Sequence, residues 1–431
     1  VPAGDWFNEI PYVGGALQVD WAFSWLGLMA GLEFDFDAAG DRNLERYRPL
    51  KDAEKILGAQ LPFYQEVLAH PTLDSFWRRL QWSAADFRSI GIPVFTATGW
   101  FDGDQAGTLL YWRGLEGRQE PRDHQQPPAQ QLIIGPWGHR ECYLGGEIRL
   151  GELDLGTGSV LPIRSMRVNF LRRHLHGEDR GPAARVRLFI TGSCCWREFD
   201  RYPPAQAQIR PWFLCAVAPA NGALGGGGLS EERAHGAPDR YCYDPRDPVP
   251  YKAGAEDHGE IERRADVLVY SSEALQAPLT VVGAVELLLH ASSDALDTDF
   301  TAKLLDVHPD GRAVSLTHVG GIQRARYRYG FDRAQLLTPG EPFELRIRLS
   351  HVGHTFLPAH RIRLEVSSSC FPLADPNTNT GLDIAIDTTP RKAQQTVLHD
   401  AAHPSRLLLP VLAHPSAGAE STPLQSSRGK Q

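Results

Sequence analysis

Pro93-Val94-Phe95-Thr96-Ala97-Thr98-Gly99-Trp100-Phe101-Asp102-Gly103-Asp104 and Gln131-Leu132-Ile133-Ile134-Gly135-Pro136-Trp137-Gly138-His139 decide how this chain is read. Each starts with a short apolar run that stops at glycine, the pattern of a strand buried on both faces of a parallel sheet. Between them Asp104 to Leu115, with Leu109, Leu110 and Trp112, predicts a helix. Strand, helix and strand over this distance make a βαβ unit with a right-handed crossover. Asp102 and His139 therefore each follow the carboxyl end of a parallel strand, the edge where open α/β sheets place catalytic groups.

An imidazole serves as a general base when a buried carboxylate holds its other ring nitrogen in the right tautomer. Acid before histidine is also the order in which these groups follow the nucleophile in α/β-hydrolases. The competing reading is structural, with Asp102 capping the next helix and His139 a loop histidine.

Outward from this unit the patterns change. Residues 14–85 carry helical signals and many aromatics. Trp21, Trp25 and Met29, four residues apart, predict one apolar helix face, and Phe76, Trp77 and Leu80 predict another after Pro71. Pro162 to His176 predicts a helix with Ile163, Met166, Phe170 and Leu175 on one face and Gly177 as its stop. After Gly181 the period becomes two, as where Leu345, Ile347 and Leu349 alternate with Glu344, Arg346 and Arg348. Leu279 to Leu289 and Ile362 to Val366 alternate in the same way, and Pro309-Asp310-Gly311 marks a hairpin turn.

The expected organisation is a short leading segment at 1–13, a helical layer at 14–85 and a parallel α/β segment at 86–180. An all-β antiparallel sandwich at 181–413 and a disordered polar tail at 414–431 complete it. A length of 431 residues with 42% hydrophobic and 22% charged content fits two or three globular domains. A net charge of −8 with no basic cluster argues against nucleic acid or an anionic membrane surface as partner. Six cysteines without a Cys-x-x-Cys pair, two of them adjacent at Cys194-Cys195, predict free thiols and a cytoplasmic, reducing location.

Gly99-Trp100-Phe101-Asp102-Gly103 and Gly135-Pro136-Trp137-Gly138-His139 resemble motifs of the cocaine esterase and Xaa-Pro dipeptidyl-peptidase family. Phe170-Leu171-Arg172-Arg173-His174-Leu175, Val186-Arg187-Leu188-Phe189, Tyr243-Asp244-Pro245 and Asp247-Pro248-Val249-Pro250 extend the likeness. Asp297-Thr298-Asp299-Phe300, Phe371-Pro372-Leu373 and Asn377-Thr378-Asn379-Thr380-Gly381 follow in the family's order, to about residue 412. The resemblance implies that 1–13 and 86–180 belong to an α/β-hydrolase core, the latter its C-terminal half, with 14–85 a helical cap and 181–413 a jelly-roll. It also implies that Asp102 and His139 are acid and base of a Ser-His-Asp triad. The substrate it implies is a small-molecule ester or amide. A homo-oligomer is left open.

The family's nucleophile sits in a Gly-x-Ser-Tyr-x-Gly elbow upstream of the position of Asp5, and no Gly-x-Ser-x-Gly occurs here. Ser75, Ser83 and Ser165 fall in predicted helices or at their starts and suit capping or surface roles. The serine is thus expected outside this chain, which alone should be inactive. A sheet lacking its first strands should also expose an apolar edge, so aggregation or dependence on a partner chain is expected.

Asp5-Trp6-Phe7 and Asp104 resemble positions in the α-amino acid ester hydrolase branch, where a carboxylate cluster receives the substrate's α-ammonium group. Asp5 and Asp104 match two of its members and Gln105 stands at the third. Trp6, Phe7 and Phe101, with Trp21 and Trp25, are candidate walls of an apolar acyl pocket. The alternatives are an Xaa-Pro dipeptidyl-peptidase, or a catalytically dead remnant joined to a β-sandwich binding module.

Other signals fail. Gly225 to Gly228 lacks the Gly-Lys-Ser/Thr of a phosphate loop. No carboxylate or thiolate stands at ligand spacing from His351, His354 and His360. Asp294, Asp297 and Asp299 lack the glycine and glutamate of a calcium loop and read as a solvated turn. No metal and no cofactor is expected.

Overall fold

The structure, a computed structural model, describes residues 4–32, 48–117, 129–181, 183–216, 218–221, 226–233 and 236–413. The tail expected at 414–431 and Gly225 of the glycine run lie outside the described residues.

Strands β1 (Tyr12–Val13) and β2 (Ala16–Leu17) pair as a small hairpin. A helical layer follows. A π-helix at Trp21–Trp25 runs into α1 (Leu26–Met29), then come a 3-10 helix at Leu50–Leu57, α2 (Pro62–Ala69), α3 (Ser75–Arg78) and α4 (Ala84–Ser89). The expected Trp21–Trp25–Met29 face is not the buried one: Trp25 and Met29 are exposed, while Ala22 and Phe23 are buried. Wider i→i+5 bonding in the π turn rotates later residues away from a spacing of four. Asp74 caps α3 through the Phe76 N–H, and the helix is a single turn, so Trp77 is buried and Leu80, beyond its end, is exposed. Ser83 closes a capping box with Asp86 at the start of α4.

β3 (Val94–Gly99) and β4 (Gln130–Gly135) pair in parallel with Gly99 opposite Gly135, and α5 (Gln105–Glu116) connects them. After α6 (Glu141–Leu144), β5 (Arg149–Leu150), β6 (Leu153–Asp154) and α7 (Ile163–His176), β7 (Val186–Ile190) pairs in parallel with β4. β8 (Cys195–Phe199) lies antiparallel to β7, giving the order β3-β4-β7-β8. β7 and β8 therefore belong to this sheet and not, as the change of period suggested, to the sandwich expected from residue 181. The reason is visible in β7, where Val186, Leu188, Phe189 and Ile190 are all buried, as on a strand covered on both faces. On α7, Ile163 and Phe170 are buried but Leu175, near its end, is 73% exposed. β3 is an end strand, and no described strand pairs with its outer edge.

The β-rich unit opens with β9 (Ala207–Ala216), β10 (Gly227–Ser230), β11 (Asp239–Tyr243) and β12 (Leu268–Ser271). Long strands β13 (Leu279–Ser293) and β14 (Asp299–Val307) precede β15 (Ala313–Ser315) and β16 (Gly321–Arg324). β17 (Phe343–Phe356), β18 (Arg361–Ser367), β19 (Ala393–Leu398) and β20 (Arg406–Leu412) complete it. They bond in the order β11-β19-β13-β20-β9-β10-β12-β18-β14-β15, with β16 on β14 and β17 on β13. The core gathers Leu287, Leu289, Leu345, Ile347, Leu364, Val366, Leu407 and Leu409, so the alternating apolar residues do face inward. Asp297 and Asp299 are not a solvated turn: both are buried, paired with Arg326 and Arg324. The two sheets meet where Thr191, just past β7, exchanges backbone bonds with Gly353 and Thr355 of β17. No described helix is long and apolar enough to cross a membrane.

Candidate active site

Backbone bonds continue past the carboxyl ends of β3 and β4. Trp100 N–H donates to Gly135 O, Phe101 N–H to Trp137 O and Asp102 N–H to Gly99 O. This folds the two turns against each other so closely that a Cβ at Gly99 would lie 1.9 Å from Trp137 O. Glycine at 99 is thus a packing requirement.

The turns bring Asp102 Oδ1 to 3.1 Å from His139 Nδ1. The Asp102 side chain is 0% exposed and that of His139 52% exposed. Thr98 Oγ1 donates to Asp102 Oδ2 at 2.8 Å, the Asp104 N–H donates to Oδ1 at 3.0 Å, and Cys142 Sγ lies 3.4 Å from Oδ2. Burial pushes the Asp102 carboxyl up, but the bonds from His139, the Asp104 amide and Thr98 outweigh it and hold the group below its ordinary value. His139 moves the other way: the bond to Asp102 raises it above the usual imidazole range against partial burial, and the charge of Asp104 adds to this. Among the described residues, Nε2 of His139 has no hydrogen-bond partner.

Asp104 occupies the N-cap position of α5 without capping it, since its side chain bonds no helix N–H. Its Oδ2 stands instead 3.4 Å from His139 Nδ1. The cap comes from Glu9, whose buried carboxylate accepts the Gly107 N–H at 2.6 Å along with the amides of Gly4 and Asp5. Burial, against those three bonds, pushes Glu9 up to about 8. Asp104 is pushed above its ordinary value by burial and then by the charge of Asp102. Asp5 is held by the side-chain amide of Asn8 at 3.1 Å. Gln105 donates to the carbonyls of Gly99, Trp100 and His351 and accepts the His351 N–H, tying the turn to β17.

A cavity of about 330 Å³ adjoins Asp102 and is lined also by Asp5, Glu9, Gln105, His318 and His351 among others, with His139 and Asp104 outside its lining. That size suits a small organic ligand. The aromatic residues expected to wall it do not. Phe7 is buried, stacked on Tyr12 at 5.0 Å; Trp6 leans on Trp77; and Phe101 lies in the core with Trp100 and Trp112. Trp21 packs in the helical layer with Phe7 and Tyr12, and Trp25 is exposed. Stacked against one another, these rings satisfy their apolar surface without the cavity. Glu9, Thr98 and His318 are the site's contributors that the sequence pattern did not single out. A lone glutamate amid Trp6, Phe7, Ile10 and Tyr12 was the available signal for Glu9.

A buried carboxylate steadying an imidazole at the carboxyl edge of a parallel sheet, beside a β-rich unit, defines a protein of the α/β-hydrolase class. Residues 1–141 match the X-Pro dipeptidyl-peptidase (S15) family, and residues 176–408 match the X-Pro dipeptidyl-peptidase C-terminal non-catalytic domain. Cocaine esterase of Rhodococcus sp. (strain MB1 Bresler) is 34% identical over 441 residues, which cover 93% of this chain and 73% of that protein. An aminopeptidase from a marine sediment Thaumarchaeota archaeon superposes with a TM-score of 0.79 at 26% identity, over 96% of this chain and 71% of its own. An α-amino acid ester hydrolase shares the fold at a TM-score of 0.78 and 24% identity, over 95% and 70%. The chain belongs to the cocaine esterase and X-Pro dipeptidyl-peptidase family of serine hydrolases.

Proposed function

We propose that Asp102 and His139 are the acid and base of a Ser-His-Asp triad that cleaves ester or amide bonds of small molecules, the serine being carried by polypeptide outside these 431 residues. The reading rests on the 3.1 Å contact between a fully buried carboxylate and a half-exposed imidazole. Asp102 accepts the Nδ1–H and so keeps Nε2 a proton acceptor. Nε2 takes the serine proton as the hydroxyl oxygen attacks the carbonyl carbon, then returns it to the leaving oxygen or nitrogen. Among the described residues no strand pairs with the outer edge of β3, which supports a serine from elsewhere, because a parallel strand added there would end beside Asp102. Six free thiols, Cys194, Cys195 and Cys242 among them exposed, suit a reducing compartment such as the cytoplasm.

The test is fluorophosphonate labelling of the full-length gene product, alone and as His139→Ala. One labelled serine outside these residues, with ester hydrolysis lost in the variant, is the expected result. A labelled serine inside them, or full activity in the variant, overturns the proposal.

The carboxylates favour a second reading, that the substrate carries a free α-ammonium group. Asp5 lines the cavity with Asp102, and Asp104 is pushed up in part by its neighbour's charge. Two carboxylates ~5 Å apart repel by about 3 kcal/mol at an effective dielectric of 20, and a bound ammonium relieves that. Esters with and without the α-amino group, and a dipeptide anilide, separate the cases. Equal kcat/KM for the first pair removes this reading, and preference for the anilide indicates a peptidase.

A further inference from the structure

The sequence offered no carboxylate partner for His354 and His360, yet the fold supplies one. Asp306, the penultimate residue of β14, is buried, and its carboxylate meets three imidazoles drawn from separate segments. His360, just before β18, places Nδ1 2.9 Å from both carboxylate oxygens. His354, on β17, places Nε2 3.2 Å from Oδ2. His308, in the turn between β14 and β15, places Nε2 3.8 Å from Oδ2. The ligand atoms of Asp306, His308 and His360 all lie within 4.8 Å of one another. His351 is not part of the group, because its Nδ1 faces the Tyr202 hydroxyl.

One detail favours a cation over a set of hydrogen bonds, and a second shows how the carboxylate is held. His308 Nε2 is buried and has no hydrogen-bond partner, although it faces a carboxylate. At His354 the far nitrogen is already committed: Thr191 Oγ1 donates to Gly353 O at 3.0 Å and so accepts from His354 Nδ1–H at 2.8 Å. The ring's Nε2 meets Asp306 Oδ2 at 3.2 Å, so His354 is a hydrogen-bonded support of the carboxylate, of the kind that holds a metal ligand in place. Asp306 oxygens lie 2.9 Å from His360 Nδ1 and 3.8 Å from His308 Nε2, on either side of the edge of about 3.3 Å that bond lengths near 2.0–2.1 Å give a tetrahedron.

We propose that Asp306, His308 and His360 form a zinc site in the β-rich unit, with His354 holding the carboxylate in place. Two imidazole nitrogens and one carboxylate oxygen supply three positions of a tetrahedral shell, and water takes the fourth. The site ties together the ends of β14, β17 and β18. Through Thr191 it also reaches the contact between β17 and the four-stranded sheet.

The test is Zn²⁺ titration calorimetry on the metal-stripped full-length protein carrying His139→Ala, which removes the Asp102–Asp104–His139 group as a competing site. One ion per chain is expected, with the Tm raised by Zn²⁺ and not by Mg²⁺. His308→Gln is the first variant to compare, since that side chain, 21% exposed, is the least buried of the group. It should weaken binding at least about tenfold, as loss of a site's support does. Co²⁺ should give the intense visible bands of tetrahedral coordination, weakened in His308→Gln and in His360→Gln. Absence of saturable Zn²⁺ binding, equal affinity in His308→Gln, or only the faint spectrum of octahedral Co²⁺ overturns the proposal and leaves a hydrogen-bonded cluster.

Discussion

Asp102–His139 and Asp306–His360 are both aspartate–imidazole pairs, with contacts of 3.1 and 2.9 Å, yet they sit in opposite surroundings. In the first, the imidazole is 52% exposed, has one ring nitrogen without a partner among the described residues, and stands past the ends of two strands, of which β3 has no outer partner among the described residues. In the second, the His360 side chain is only 10% exposed, two more histidines crowd the same carboxylate, and the surrounding strands are paired. The contact distance alone therefore says little. What distinguishes a base from a staple is whether the second nitrogen can reach anything that arrives from outside.

The largest effects should come from breaking the exposed pair. In the full-length enzyme His139→Ala should lower kcat by on the order of 10⁶, and Asp102→Asn by roughly 10⁴, read with a chromogenic ester. Stability should hardly register the latter change, at about 1 kcal/mol, because the partner imidazole is half solvated. Asp306→Asn in the metal-free protein should behave in reverse. Loss of its charged bonds to buried imidazoles should cost about 3 kcal/mol in urea unfolding, with kcat per folded molecule close to wild type. Were Asp102→Asn the more destabilising of the two, the contrast drawn above would fail.

Smaller effects sharpen the description of the exposed pair. Thr98→Val removes a bond to Asp102 Oδ2 and should reduce kcat roughly tenfold, with KM little changed. Asp104→Asn tests the electrostatics. His139 must be neutral to accept a proton, and Asp104 raises its pKa. Removing that charge lowers the imidazole pKa, so the acid limb of the kcat/KM profile should move to lower pH. A limb that stays in place or moves upward would show that Asp104 does not act on His139.

Much of this geometry could be read ahead because it is local or lies between neighbours. β3 and β4 are consecutive parallel strands, so residues just past their ends must come together, and Asp102 and His139 were legible as a pair for that reason. Alternation along β17 was legible because one wet face and one dry face write a period of two. Helix faces were less legible. A single π turn displaced Trp25 and Met29, and Leu175 satisfied the spacing of α7 yet stays exposed. β7 misled because it lies among alternating strands in sequence but between β4 and β8 in space.

Local composition by itself determined the strand–helix–strand unit, the sheet edge that carries Asp102 and His139, and the two-faced strands of the second half, since these depend on periods of two and 3.6 residues. Only the tertiary structure decided that Glu9 caps α5 and so releases Asp104 toward His139, and that Asp306 collects His308, His354 and His360. Those encounters join residues separated by up to ninety-eight positions. Hydrogen-bonding groups carry no periodic signature in the chain, so their partners become defined only once packing has brought distant backbone together.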